Sequence, residues 1–210
     1  MTDEEALARE PLFRSTWTAV AIPLILLAAY LWQIKAGANE VELTLGLSAE
    51  RLAEGHFETL ITHLFVHGSW LHLGMNCAAA LIFGTAVARY LGPGLWGAVV
   101  FFSFFLVCGV LAGLGYVLAH PLGMDVAVGA SGAISGLWGA ATRLLIGRGR
   151  LAPVFDRLVL TQSAVILAVN VVMGLAGTLQ SMNIAWEAHV AGFIAGLLLI
   201  GPAGRLIRRA

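Results

Sequence analysis

The segment VGASGAISGLWGA, residues 128–140, holds the feature that decides how this chain folds. It combines small residues with two serines, Ser131 and Ser135, in a chain that is otherwise strongly apolar. Glycines four apart, such as Gly132 and Gly136, are typical of membrane helices that pack closely against a neighbour. A serine at the end of such a helix could also be a nucleophile. The rest of the sequence is needed to decide between a packing role and a catalytic role.

The composition favours an integral membrane protein. Hydrophobic residues make up 59% of the 210 positions and charged residues 11%, whereas a soluble domain carries about a quarter charged residues. A chain of this size cannot bury so many apolar side chains in one soluble core. The formal net charge is zero, so the charge balance gives no indication of a nucleic-acid partner.

Six apolar segments approach the roughly 20 residues that a helix needs to cross the hydrocarbon core. We predict spans at residues 17–36, 71–90, 95–120, 131–147, 158–177 and 186–207. The predicted fold is therefore all-α, a polytopic bundle of six transmembrane helices. Residues 17–207 form its single domain, with a short N-terminal tail at 1–16 and a C-terminal end at 208–210.

The basic residues orient this bundle. One side carries the N-terminus, the second and fourth connections and the C-terminus, with Arg9, Arg14, Arg89, Arg143, Arg148, Arg150, Arg157, Arg205, Arg208 and Arg209. The opposite side carries only Lys35 and Arg51, so the positive-inside rule predicts that both termini are cytoplasmic. The first span is too long for a signal-peptide core. With no targeting presequence ahead of it, we expect a bacterial inner membrane protein.

The connection between the first two spans, residues 37–70, lies on the outer side in this topology and is too long for a simple turn. Its apolar and acidic residues have the spacing of short helices that lie in the membrane interface. We expect Arg51, Glu54 and Glu58 to form a solvated helical face.

The fourth span is short. The hydrocarbon core is about 30 Å thick, whereas a helix from Ser131 to Gly147 measures about 25 Å. Even this length requires that the Arg143 side chain extend towards the interface. We therefore expect the helix to begin below the membrane surface, near Ser131. A helix N-terminus offers unpaired backbone N–H groups and a positive dipole end, which suit a developing oxyanion. Packing through Gly132 and Gly136 and catalysis by Ser131 are compatible.

The sixth span supplies a candidate base, His189, near its outer end. An ionisable residue within a span indicates function, although a structural histidine is the alternative. Gly192 and Gly196 follow with the same four-residue spacing, so the two glycine pairs could pack the fourth and sixth helices and bring His189 to Ser131. Neutral imidazole can then activate the serine hydroxyl. Glu187, two residues away, faces another direction and is not expected to complete a triad.

The second span begins with His72 and Asn76, which share a helical face. Their N–H groups could donate to an oxyanion, and polar contacts between helices are the alternative. His63 and His67 have the same spacing, which suggests a metal site with His72. The sequence has neither H-E-x-x-H nor a thiolate cluster, so we expect no metal and instead hydrogen bonds that shape the outer loop. Asn170, in the fifth span, is expected to hydrogen-bond to another helix.

Together these residues resemble the rhomboid family of intramembrane serine proteases. The matching pieces are H-x-x-x-N from His72, G-A-S-G at residues 129–132 and A-H-x-x-G at residues 188–192, on the second, fourth and sixth spans. The resemblance implies a Ser131 nucleophile and a His189 base, and oxyanion donors from His72, Asn76 and the Ser131 backbone N–H. Structural roles fall to His63, His67, Gly129, Gly132, Gly136, Gly192 and Gly196.

Three residues depart from the family pattern, in two places. Glu58 and Thr59 stand where the outer loop of the family usually has a Trp-Arg pair, and Ser135 stands where a tyrosine often stacks on the histidine.

The function that the resemblance implies is cleavage of transmembrane segments of membrane-protein substrates, within the bilayer and without metal or organic cofactor. The alternatives are a non-proteolytic rhomboid-like factor that binds membrane proteins as a chaperone does, and a small transporter.

Overall fold

The computed structural model describes residues 16–121, 123, 125–179 and 185–208, and every regular element within these ranges is helical. The helices are α1 (Trp17–Ala36), α2 (Ala38–Leu45), α3 (Ala49–Ala53), α4 (Thr59–Thr62), α5 (Trp70–Leu91), α6 (Leu95–Ala119), α7 (Ser131–Ile146), α8 (Arg157–Leu179) and α9 (Trp186–Arg208). A 3-10 turn, His63–Phe65, follows α4. The predicted all-α polytopic bundle is confirmed. Arg9, Arg14 and Arg209, on which the predicted orientation partly depends, lie outside the described residues.

Six long helices occupy the six segments predicted as spans, and α7 begins at Ser131, as the sequence indicates. In the described ranges, α1, α5, α6 and α9 are long and apolar enough to cross a membrane. α7 has only 16 residues, and α8 contributes the apolar stretch Arg157–Val172. Large apolar side chains point away from the bundle, as in a protein surrounded by lipid; examples are Leu24, Ile82, Leu118 and Val172. The chain is an integral membrane protein.

The short helix α7 lies at the centre of the bundle. Most of its residues are buried, because α5, α6 and α9 all pack against it. Its sequence allows this, since small residues on several faces let neighbouring backbones approach closely. A Cβ added to Gly132 would lie 2.6 Å from Cβ of Ala112 on α6, and one added to Gly136 would lie 2.5 Å from Cβ of Cys108.

The backbones of helices α7 and α9 are in direct contact at the two predicted glycine pairs. A Cβ on Gly192 would overlap the carbonyl oxygen of Gly132, and a Cβ on Gly196 would overlap that of Gly136. Any larger residue at these positions would push the helices apart. The N-terminal ends of α7 and α9 are therefore held side by side.

The outer loop folds into α2, α3, α4 and the 3-10 turn, in agreement with the prediction of short helices. It is tied to the segment before α7 by an antiparallel bridge, in which Leu47 N donates to Ala127 O (3.0 Å) and Ala127 N to Leu47 O (2.8 Å). Glu54 and Glu58 are exposed as predicted, but Arg51 is half-buried and its Nε is enclosed. The expectation of a fully solvated face was wrong for Arg51.

Two polar residues in the spans also differ from expectation. Arg143 does not extend to the interface: it is buried, and its guanidinium donates to the carbonyls of Ala152 (2.8 Å) and Leu197 (2.8 Å). The loop after α7 folds back and offers the carbonyl of Ala152, and α9, which packs on α7, offers that of Leu197. Asn170 donates to Ile166 O (3.0 Å), four residues earlier in its own helix, rather than to another helix.

Candidate active site

Ser131 and His189 form a hydrogen-bonded pair at the N-terminal ends of α7 and α9. The distance from Ser131 Oγ to His189 Nε2 is 2.8 Å. With Nε2 unprotonated, the serine hydroxyl donates to the imidazole, which is the arrangement a general base needs. The close approach of α7 and α9 at their glycine pairs brings the two side chains together.

The backbone around Ser131 is suited to bind an anion. The helical bonding of α7 begins with Ile134 N, which donates to Ala130 O (2.9 Å). The N-cap residue, Ala130, has no side chain that could cap the N–H groups of the first turn. These groups and the positive end of the helix dipole lie beside the serine hydroxyl.

His72 and Asn76 lie against the backbone of Gly129, two residues before Ser131. Gly129 has φ +111°, a conformation that favours glycine. A Cβ there would lie 2.6 Å from both Cε1 and Nε2 of His72 and 3.8 Å from Nδ2 of Asn76. Asn76 is buried, and its Nδ2 donates to the His72 carbonyl (3.0 Å) in α5. Gly129 therefore lets both side chains approach the serine segment.

His63 connects the outer loop to the same segment. Its carbonyl accepts a hydrogen bond from Gly129 N (2.9 Å), and its buried ring donates from Nδ1 to Thr59 O (2.7 Å). Burial lowers the pKa of His63 to about 4, so the ring is neutral at physiological pH. His63 thus links the outer loop to the segment before Ser131 through two hydrogen bonds.

His67 shapes the loop through its backbone rather than its ring. The amide of Gln33, in α1, accepts from His67 N (3.0 Å) and donates to His67 O (3.0 Å). The ring packs edge-on against Tyr30 and His72. Neither ring nitrogen has a hydrogen-bond partner among the described residues. Burial, with the neighbouring His72, lowers the pKa of His67 to about 4.

Gln33 was not singled out in the sequence. It is 1% exposed and pairs with both backbone groups of His67. The sequence feature that could have identified Gln33 is the presence of a polar amide side chain within the first apolar span. A buried amide at membrane depth needs a partner, so it marks a contact point for another segment.

Two of the three residues that depart from the family pattern, Thr59 and Glu58, have local partners. Thr59 is buried, and its hydroxyl donates to His56 O (2.6 Å). Glu58 is exposed beside His56, with 3.0 Å between Oε1 and Nδ1. A backbone hydrogen bond and then the His56 contact lower the pKa of Glu58. Ser135 is buried in α7, one turn after Ser131.

Glu187 faces away from the serine–histidine pair, as its helical position suggested. Its Oε1 lies 3.6 Å from Nε2 of His120, at the end of α6. Among the described residues, no group of three or more His, Cys, Asp or Glu side chains is arranged to hold a metal ion. What this site offers is a serine, an imidazole and N–H donors.

Comparison with known proteins identifies the family. The family model for the Rhomboid domain matches residues 54–205. This chain belongs to the rhomboid family. The resemblance carried by His72, Asn76, Ser131 and His189 is thus confirmed at the level of family.

Three relatives show how far the similarity extends. "Rhomboid protease GluP" of Bacillus subtilis is 28% identical over 194 residues, which cover 91% of this chain and 35% of that protein. "Putative rhomboid protease YdcA" of the same organism is 30% identical over 149 residues, 70% of this chain and 68% of that protein. "RHOMBOID-like protein 5" of Arabidopsis thaliana is 30% identical over 156 residues, 74% of this chain and 47% of that protein.

Proposed function

We propose that this rhomboid-family chain is an intramembrane serine endopeptidase that cleaves transmembrane segments of other membrane proteins. The observation that carries the proposal is the 2.8 Å contact between Ser131 Oγ and His189 Nε2. A serine hydroxyl becomes nucleophilic when an adjacent base takes its proton. The names of the two Bacillus subtilis relatives agree with this activity.

In the proposed acylation step, Ser131 Oγ attacks the scissile carbonyl carbon while His189 Nε2 accepts the hydroxyl proton. The carbonyl oxygen becomes an oxyanion, which we assign to the backbone N–H of Ser131 and the side chains of His72 and Asn76. The C–N bond then breaks, and His189 gives its proton to the leaving amine. Water, deprotonated by His189, hydrolyses the acyl-enzyme and restores Ser131.

The proposed chemistry uses a dyad and needs neither metal nor organic cofactor. Glu187 is paired with His120 and does not support the imidazole. Orientation of His189 instead follows from the packing of α9 on α7, where Gly192 and Gly196 contact Gly132 and Gly136.

The position of Ser131 supports cleavage below the membrane surface. α7 has 16 residues, and at 1.5 Å per residue it is about 24 Å long, shorter than the hydrocarbon core. A peptide bond within a regular helix is shielded and its carbonyl is already hydrogen-bonded, so the substrate helix must unwind near this point. We therefore infer a preference for substrate segments with helix-breaking residues, such as glycine or proline.

The arginine distribution supports a location in a bacterial inner membrane with both termini cytoplasmic. Within the described residues, Arg89, Arg148, Arg157 and Arg208 lie at or near helix ends on one side, whereas α7 and α9 begin with Ser131 and Trp186 on the other. The active site then faces the outer side, and water reaches it past the outer loop.

Labelling with a fluorophosphonate serine probe tests the proposal directly. Purified parent protein is compared with Ser131→Ala, His189→Ala and the matched control Ser135→Ala, which removes a buried serine one turn away. We expect label on the parent and on Ser135→Ala, and none on the other two. A folded parent that takes no label would favour a non-proteolytic membrane-protein binding role, and label on Ser131→Ala would exclude Ser131 as the nucleophile.

A further inference from the structure

A cleft lies at the end of α7 opposite the active site. It is a partly open cleft between the C-terminal ends of α5 and α7, with a volume of about 320 Å³, within the roughly 300–1,000 Å³ of small-molecule sites. Its walls are formed by Ala86, Arg89, Tyr90, Leu144, Leu145 and Arg148. Nothing in the proposed peptidase chemistry uses this cleft.

The rim of the cleft is positively charged. Arg89 lies in the last turn of α5 and Arg148 follows α7, and both are exposed. In the turn after α7, Arg148 N donates to Leu145 O (3.1 Å) and Gly149 N to Leu144 O (2.9 Å). The turn therefore satisfies these two carbonyls of α7, and the guanidinium of Arg148 is not needed to cap them. In the described loop between α7 and α8 the acidic residue is Asp156, which caps α8 at Leu158 N (2.9 Å).

The backbone at Arg148 is also unusual. Its φ of +51° is the one left-handed value among the described non-glycine residues, and such a conformation costs about 1 kcal/mol or more for a residue with a Cβ. Glycine would be the ordinary choice here. This chain has an arginine here despite the conformational cost, and the arginine lines the cleft.

An apolar path leads from the cleft towards the lipid. Ile82, Ala86 and Arg89 are spaced so that they share one face of α5. The path consists of Leu145, which lines the cleft, and Ile82, on this face of α5, and each is 67% exposed. A ligand with an anionic group and an alkyl chain fits this arrangement, with the anion at the arginines and the chain along the side chains of Ile82 and Leu145.

We propose that this cleft binds the phosphate headgroup of an anionic phospholipid in the leaflet at the arginine-rich end of the bundle. Guanidinium groups bind phosphate oxygens through paired, charge-assisted hydrogen bonds. Basic pockets between membrane helices recognise anionic headgroups in this way. A free phosphate shares the headgroup chemistry but does not use the apolar path, and we therefore assign the site to lipid. The assignment is independent of the role of Ser131.

Lipid titration of the purified chain in detergent, followed by native mass spectrometry, tests the assignment. The probes are phosphatidylglycerol, phosphatidylcholine and inorganic phosphate. The variants are Arg89→Ala and Arg148→Gly, with Arg150→Ala as the matched control in the same loop but outside the cleft. Arg148→Gly is chosen because glycine accepts the left-handed backbone, so loss of binding cannot be attributed to misfolding. Thermal unfolding checks that each variant is folded.

We expect the parent to prefer phosphatidylglycerol over phosphatidylcholine. In each cleft variant the preference for phosphatidylglycerol should fall about fivefold, which is the effect expected for removing one arginine near an anionic headgroup. Arg150→Ala should keep the preference. The assignment is overturned if the cleft variants retain the preference or if Arg150→Ala loses as much. It is also overturned if inorganic phosphate displaces phosphatidylglycerol at similar concentration, since the ligand would then be free phosphate.

Discussion

The Oγ atom of Ser131 lies 2.8 Å from Nε2 of His189, although 58 residues separate them in the chain. The two residues meet because α7 and α9 are in contact backbone to backbone, with Gly192 and Gly196 against the carbonyls of Gly132 and Gly136. These four glycines pack the two helices together, and they therefore determine the distance between the two groups proposed to react.

Ser131→Ala and His189→Ala should each abolish cleavage of a transmembrane substrate reconstituted in vesicles with the protein. Since the two groups act as one unit, the double variant should be no slower than either single variant. We expect a loss of at least about 10⁴-fold for each, as when a serine peptidase loses its nucleophile or base. Multiplying losses in the double variant would show that the residues act independently, contrary to the dyad.

Asn76→Ala should lower kcat by about 10²-fold with little change in KM, because an oxyanion donor acts mainly in the transition state. The matched control is Asn170→Ala. Asn170 also donates from Nδ2 to a carbonyl four residues earlier in its own helix, as Asn76 does, but it has no assigned role. Steady-state cleavage rates of the two variants are compared. Equal effects would mean that Asn76 contributes only to helix packing.

Gly129→Ala should abolish activity while the protein remains folded. Alanine at this position would have to adopt the positive φ of +111°. Its Cβ would lie 2.6 Å from the His72 ring and would displace that side chain. Gly55→Ala is the control, because Gly55 also has a positive φ (+93°) but a Cβ there meets nothing within 4 Å. Both variants should lose about 1 kcal/mol of unfolding free energy to the positive φ, and Gly129→Ala should lose more because its Cβ also displaces the His72 ring. Only Gly129→Ala should lose cleavage, and an active Gly129→Ala would show that His72 can move without consequence.

The local sequence was enough to predict the long helices and the start of α7 at Ser131. Hydrophobic length and small-residue spacing are properties of contiguous segments, and they give helix positions directly. The contact between α7 and α9 could be anticipated because both carry glycines with the same spacing.

The contacts of the outer loop could not be predicted in the same way. The pairing of Gln33 with the His67 backbone and the bridge between Leu47 and Ala127 join segments that are distant in sequence. Backbone groups carry no sequence signal of their partners, since every residue has them. Arg143 was misjudged for the same reason, because its partners are the carbonyls of Ala152 and Leu197.

Gly196→Ala should destabilise the protein strongly. The new Cβ would overlap the carbonyl oxygen of Gly136, and a backbone atom in a packed helix cannot move aside cheaply. We expect a loss of about 2 kcal/mol or more in unfolding free energy, measured by denaturant titration in mixed micelles. Gly201→Ala, in the same helix, is the control, since its Cβ would meet its nearest neighbour at an ordinary 3.5 Å. Alanine favours a helix more than glycine does, so comparable losses in both variants would indicate general crowding along α9 rather than the specific contact with the α7 backbone.

Acidification from pH 7 to pH 5 should destabilise the fold through His63 and His67. Their pKa values are lowered by burial to about 4 in the folded protein, from an ordinary value near 6.5. Between these values the unfolded chain binds protons that the folded chain does not. The unfolding free energy is therefore highest above about pH 6.5 and falls as the pH drops towards 4.

Each histidine should contribute about 2 kcal/mol to the loss between pH 7 and pH 5, because about 1.5 pH units of this range lie below the ordinary pKa and each is worth about 1.4 kcal/mol. His67→Phe should reduce the slope of unfolding free energy between pH 5 and pH 7, because phenylalanine can keep the edge-on ring contacts with Tyr30 and His72 and has no titratable nitrogen. Glu58→Gln is the control. Glu58 is exposed and its pKa lies below its ordinary value, so it stays ionised throughout this range and its removal should leave the slope unchanged. A slope that His67→Phe does not alter would mean that His67 remains neutral in the unfolded chain or charged in the folded one, and that the acid sensitivity arises elsewhere.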